Sequence, residues 1–242
     1  MHYSLTVRLI CEMLGTAILI LFGNGAVANV DLKGTKGYKN GWIIIAVGYG
    51  VGVMIPGLMF SSISGSHTNP AMTLGLAVNG LFPWSEVMPY IIAQLIGAIL
   101  GQVILYFVYL PFYKQTEDTK SILGTCSTIS ASGSHINGFI TEFFGTFLLV
   151  LGALFISNSS GVKSTPAVGC VGLGFLVASL VTSLGGPTGP GLNPARDLGP
   201  RIVHAFMPLK NKGDSDWAYA WIPVVAPIVA SIAAVFLYKQ IC

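Results

Sequence analysis

The tripeptide Asn-Pro-Ala occurs twice in the chain, as Asn69-Pro70-Ala71 and as Asn193-Pro194-Ala195. Asn is a favoured helix N-cap, and Pro is favoured at the first helical position, where a missing N–H removes no bond. Each copy therefore predicts the start of a helix. A helix start carries roughly half a positive charge from its aligned peptide dipoles. Two such ends facing one pore form a barrier to cations, protons included, without a charged side chain. With each Asn carbonyl capping its own helix, each Asn amide is left to donate to the oxygen of a passing molecule. A neutral hydroxyl compound fits such a site and an ion does not.

The segments ahead of the two copies are rich in turn formers: Ser64-Gly65-Ser66-His67, and the run Gly-Gly-Pro-Thr-Gly-Pro-Gly over 185–191. Neither suits a regular helix. Irregular backbone at membrane depth is tolerated where it lines a wet cavity. Gly65, Ser66 and His67, and Gly189, Pro190, Gly191 and Leu192, are therefore expected to offer carbonyl acceptors opposite the Asn donors. His67 is expected to serve through its carbonyl, as scaffold. Arg196 directly follows the second tripeptide, and an Arg near the membrane interior marks a functional position. It either faces the pore or snorkels to the headgroups. Glu12 and Glu142 also have two readings. They either accept hydrogen bonds from the extended segments and hold them in place, or relay protons in a coupled transporter. No nucleophile–base pair points to an enzyme, and no ligand cluster points to a metal or cofactor. The four cysteines share no motif spacing. A net charge of +3 is too small for a nucleic-acid surface.

These groups need elements to hold them, and composition says which kind. Of 242 residues, 53% are hydrophobic and 9% charged, with a mean hydropathy of +0.74. A soluble domain carries about 25% charged residues. The chain is therefore read as an all-α membrane protein. Apolar stretches fall at roughly 5–28, 41–60, 86–110, 138–157, 165–184 and 217–238, each near the ~20 residues that cross a bilayer. Trp42, Trp84, Trp217, Trp221, Tyr38, Tyr113 and Tyr238 mark their ends as interfacial aromatics. Gly48 with Gly52, and Gly97 with Gly101, are small-residue pairs suited to close helix contact.

Two shorter segments, Thr68–Asn79 and Asn193–Phe206, give only about 16–21 Å of helix and reach the midplane without spanning. Glu12-Met-Leu-Gly-Thr16 in the first span matches Glu142-Phe-Phe-Gly-Thr146 in the fourth. Both halves thus read span, span, half-helix, span. Three spans per half is an odd number, so the second half enters from the opposite side, an inverted repeat. The whole chain, 1–242, is read as a single channel domain, with repeats at about 1–110 and 136–242 joined by a loop at 111–135.

The motifs SGSHTNPAMTLG and GPTGPGLNPARDLGPR, set within six spans, closely resemble those of the aquaporin, or major intrinsic protein, family. The resemblance covers essentially the whole chain. It implies a right-handed bundle of six tilted helices with two re-entrant half-helices, assembled as a homotetramer with one pore per subunit. It also places a selectivity filter on Tyr49, Val181, Pro190 and Arg196. Water-selective members usually carry His at the second position, and Val181 lacks that ring. Asp197, Arg201, Pro223 and Val224 resemble the glycerol-conducting branch. Tyr49 and Pro190 replace the Trp and Phe common in that branch, which implies a wider and less aromatic filter.

The resulting expectation is a passive channel for glycerol and water, extending to dihydroxyacetone, urea, undissociated lactic acid and hydrogen peroxide, and closed to ions and protons. A water-selective pore and a proton-coupled small-solute transporter are the alternatives. The compact loops resemble bacterial members, in the plasma membrane. The resemblance puts both termini in the cytoplasm, whereas the lysines are concentrated on the loops this places outside, a bias that favours the reverse.

Overall fold

The computed structural model describes residues 3–189 and 191–242. Pro190, assigned above both to the filter and to the carbonyl row, lies outside the described residues. The described chain forms α1 (Leu5–Asp31), α2 (Trp42–Ser64), α3 (Pro70–Val78), α4 (Trp84–Gln115), α5 (Thr119–Gly124), α6 (His135–Asn158), α7 (Ser160–Lys163), α8 (Pro166–Leu184), α9 (Pro194–Phe206) and α10 (Ile222–Ile241). Among the described residues, six helices (α1, α2, α4, α6, α8 and α10) are long and apolar enough to cross a membrane. They carry large apolar side chains on their outer faces, such as Val47, Phe107, Phe175 and Phe236, all exposed. That is the surface a helix presents to lipid rather than to water.

Three boundaries depart from the hydropathy reading. The last span begins at Ile222, not at 217; Trp217–Trp221 is a series of turns, and Pro223 sits in the first turn, where its missing N–H is harmless. The first half-helix begins after Asn69, because Thr68 holds a left-handed φ of 45° that no helix accommodates. The connection at 111–135 is partly helical, since α4 runs on to Gln115 and α5 follows. One marker is also reassigned. Tyr113 is fully buried and bonds the Thr125 hydroxyl at 2.6 Å, so it belongs to the core and not to the membrane interface. Trp42, Trp84 and Trp221 are exposed at span ends, as interfacial aromatics should be, and Trp217 is exposed in the turns that lead into the last span.

Packing follows the repeat. In the first half α1 lies against α2 and α4; in the second, α6 lies against α8 and α10. The halves meet where α2 packs on α8 and where the half-helices change sides. α3 packs more closely on α10 than on α4, and α9 more closely on α4 than on α10. Both small-residue pairs are used on α1. Gly48 and Gly52 approach its backbone at Phe22 and Leu19, while Gly97 and Gly101 approach it at Met13 and Ala17. A Cβ on Gly101 would stand 2.7 Å from the Ala17 carbonyl oxygen, closer than packed atoms allow.

Candidate functional site

The two half-helices begin as the tripeptides predict. The Asn69 Oδ1 accepts from Ala71 N–H at 2.9 Å, and the Asn193 Oδ1 accepts from Ala195 and Arg196 N–H at 3.0 and 3.2 Å. The amides do something the sequence reading did not foresee. Asn69 Nδ2 donates to the Leu192 carbonyl at 2.9 Å, and Asn193 Nδ2 donates to the Thr68 carbonyl at 2.7 Å. Each half-helix tip is thus bonded to the backbone leading into the other. An amide nitrogen carries two hydrogens, so one per Asn stays free of this crossing bond.

Thr68 and Leu192 are matched in every respect that matters here. Each precedes its Asn, and each has positive φ, 45° and 57°. The N–H of Thr68 donates to Glu12 at 2.7 Å, and that of Leu192 donates to Glu142 at 2.7 Å. Both are strained conformations for residues with a Cβ, held because hydrogen bonds fix both the N–H and the carbonyl of each residue. Glu12 accepts further from Ser64 Oγ, His67 N–H and Gln94 Nε2 at 2.7–2.9 Å. Glu142 accepts further from Thr188 Oγ1 at 2.9 Å. A Cβ on Gly191 would overlap the Glu142 carboxylate, which is why glycine stands there. Both acids are fully buried.

A cavity of about 240 Å³ lies between the tips. Asn69, Asn193, Tyr49, Val181 and Arg196 line it, facing an apolar wall that includes Leu19, Val53 and Leu149. Gly65, Ser66, His67 and Gly191 also line it, and their carbonyls have no donor among the described residues. Leu192 of the expected carbonyl row also lines the cavity and Gly189 does not, and both carbonyls already accept a bond from the protein. The Gly189 carbonyl accepts from Gly191 N–H at 2.9 Å, and the Leu192 carbonyl accepts from Asn69. A tight turn at positive φ closes the Gly189 carbonyl onto its own loop, and the positive φ of Leu192 turns its carbonyl to the opposite tip. The His67 ring bonds Thr73 Oγ1 at 3.1 Å and packs edge-on against Phe82, with its centroid 4.9 Å away.

Arg196 is 2% exposed, so it does not snorkel. Its Nη1 donates to the Cys126 carbonyl at 2.8 Å, its Nη2 to the Tyr49 hydroxyl, and its Cζ lies 4.9 Å from the Tyr49 ring centroid. Asp197 and Arg201 stand behind the cavity as a fully buried ion pair at 2.9 Å. Asp197 accepts from Thr128 N–H and Oγ1, both at 2.7 Å. Arg201 donates to the carbonyls of Thr128 and Ser215 at 2.9 and 2.6 Å. The pair therefore fastens the loop that supplies the Cys126 carbonyl. Ile129 and Ala131 N–H of the same loop donate to Thr188 and Pro187 carbonyls at 2.9 Å. Pro223 and Val224 lie in the first turn of α10, outside the cavity lining.

Sequence reasoning passed over Asn24, Gln94 and Gln102, all fully buried amides on spans. The available signal was their polarity in otherwise apolar segments, where an amide needs a partner. Among the described residues, no group of His, Cys, Asp and Glu is placed to hold a metal ion.

Six spans enclosing two half-helices that meet tip to tip beside a cavity define a membrane channel of the paired re-entrant kind. A family profile described as Major intrinsic protein (MIP) matches residues 2–238, and the chain belongs to that family, whose members are channels and not enzymes. It is 50% identical, over 96% of its length and 95% of the relative's, to a glycerol uptake facilitator protein-like 5 of Lactiplantibacillus plantarum. It is 46% identical to the glycerol facilitator-aquaporin gla of Lactococcus lactis subsp. cremoris, covering 100% of this chain and 99% of that one. The X-ray structure of the aquaglyceroporin from Plasmodium falciparum superposes with a TM-score of 0.87 at 30% identity, covering 99% of this chain and 98% of that one.

Proposed function

We propose that the protein is a passive channel for glycerol and other small neutral solutes together with water, and that it excludes ions and protons. The observation that carries this reading is the crossed pair of Asn bonds, which sets the N-termini of α3 and α9 against one cavity. Their dipoles oppose cations, and the remaining Asn hydrogens suit a hydroxyl oxygen. The relatives named for glycerol transport support the solute class.

In this reading Tyr49, Val181 and Arg196 form the selective constriction, completed by Pro190. Val181 leaves room where a ring would narrow the hole, so dihydroxyacetone, urea, undissociated lactic acid and hydrogen peroxide also pass. The carbonyls of Gly65, Ser66, His67 and Gly191 accept from the solute. Glu12 and Glu142 act as fixed acceptors for loop N–H groups; carboxylates so engaged are poor proton carriers. Asp197 and Arg201 serve by holding the loop behind Arg196. The chain works as one channel domain in the plasma membrane, as a homotetramer, with both termini in the cytoplasm.

Light-scattering swelling of proteoliposomes tests this. Glycerol flux well above that of bare lipid, non-saturating and indifferent to a pH gradient, is the expected result. Flux that requires the gradient overturns it in favour of a coupled transporter, and ionic current carried at the rate of solute flux overturns it altogether.

A further inference from the structure

Behind the constriction lies a polar group that no part of the pore reading uses. Asn24, in the C-terminal third of α1, is fully buried and is absent from the cavity lining. Its Nδ2 donates to the Cys126 carbonyl at 3.1 Å and to Gln102 Oε1 at 2.8 Å, and its Oδ1 lies 2.6 Å from the Tyr49 hydroxyl. A backbone carbonyl only accepts, so the Cys126 contact fixes which end of the Asn24 amide is nitrogen. The Oδ1 then faces Tyr49 and requires the phenol to donate. With its single proton committed to Asn24, the phenol oxygen serves Arg196 as an acceptor. The bonds close into a ring: Arg196 to Tyr49, Tyr49 to Asn24, Asn24 to the Cys126 carbonyl, and Arg196 to that same carbonyl. Four separate parts of the chain meet in it, namely α2, α1, the 116–134 loop and α9.

We infer that Asn24 is a positioning residue that sets the solute selectivity of the constriction by locking Tyr49 and Arg196 in one arrangement. The inference rests on the channel reading above. Without the Asn24 acceptor, the Tyr49 proton turns elsewhere and the phenol oxygen is no longer held for Arg196. Both side chains gain rotamers, and the opening between them loses its single width. Total flux is then a poor measure of the change, and discrimination between solutes of different size is the sensitive one.

The test compares glycerol with erythritol, three- and four-carbon polyols, in proteoliposomes carrying the full chain or its variants. In Asn24→Leu the glycerol-to-erythritol flux ratio is expected to fall about fivefold, the discrimination that one buried hydrogen bond of ordinary strength carries. Tyr49→Phe is expected to lower the ratio similarly, and the double variant to lower it no further than either single one, as coupled groups do. An unchanged ratio in Asn24→Leu, or full additivity in the double variant, overturns the inference. Where Asn24→Leu fails to fold, Asn24→Ala decides: an unchanged ratio overturns the inference and a fallen one, no lower in the double variant with Tyr49→Phe, supports it. Absence of glycerol flux in the unaltered protein would count against the channel reading instead, which keeps the two failures apart.

Discussion

Ahead of α3, Glu12 accepts from Ser64, His67, Thr68 and Gln94; ahead of α9, Glu142 accepts from Thr188 and Leu192 among the described residues. The first extended segment is thus secured by its own half of the repeat. The second is secured less by its acid and more from outside, through Asp197, Arg201 and the loop that lies between the halves. The position four residues after each Asn shows the divergence. In α3 it is Thr73, which donates to the Asn69 carbonyl at 3.2 Å; in α9 it is Asp197, in a buried ion pair. The lesson is that the scaffold is symmetric and the constriction proposed above is not. Among the described residues, Arg196, Tyr49 and the Cys126 carbonyl have no matching set around the first tip, so the proposed constriction draws on α2 of the first half, α9 of the second and the loop between the halves.

This contrast can be broken most severely at Asp197. Asp197→Ala leaves the Arg201 guanidinium buried without its carboxylate and is expected to cost about 3–5 kcal/mol. Thermal unfolding of the detergent-purified protein reads this as a large drop in Tm, whereas Thr73→Ala, its counterpart in the first half, should cost about 1 kcal/mol. Comparable drops for the two would erase the asymmetry.

The acids provide a second, smaller lever. Glu12→Gln turns an amide hydrogen toward a cluster of donors and should cost about 3 kcal/mol, with Glu142→Gln costing about half as much because fewer donors face it. The same unfolding measurement ranks them, and the opposite ranking would mean that Glu142 holds more than its bonds suggest.

Val181→His then probes the constriction itself. Adding a ring to the cavity wall that Val181 shares with Arg196 is expected to reduce glycerol flux about tenfold, near 1.4 kcal/mol in barrier height, with a smaller loss of water flux. Parallel swelling assays with the two solutes check it, and equal losses would remove Val181 from the filter.

The finest distinction lies in the caps. Asn193 accepts from two N–H groups and Asn69 from one, so Asn193→Ala should destabilise more than Asn69→Ala, with each costing on the order of 1 kcal/mol. Differential unfolding of the pair measures the difference directly.

Much of this architecture was legible in the chain because membrane physics leaves few options. Six apolar stretches of the right length have to be helices when lipid offers backbone groups no partner. Asn-Pro-Ala marks a helix start by cap chemistry alone, and both starts fall at the marked residues. Tyr113 shows where that logic fails. An aromatic near a span end reads as interfacial, yet the loop folding back over it makes it core. The bonds that the Gly189 and Leu192 carbonyls accept within the protein escaped the sequence for another reason: the direction of a carbonyl depends on φ and ψ, which turn-forming residues leave open. Asn24 and Gln102 were visible only as misplaced polarity, since their partners lie far away in sequence.

What the residues determined by themselves was therefore local and periodic: which segments cross, which begin at the midplane, and that the two halves repeat. Those properties follow from side-chain transfer energies and helix-end chemistry, which act within a few residues. Tertiary structure alone decided that each Asn bonds the opposite loop, that the half-helices lie against each other's last span, and that one arginine is held by two distant parts of the chain. Such pairings depend on which groups meet once the helices pack, and a buried donor is satisfied by whatever acceptor folding delivers to it.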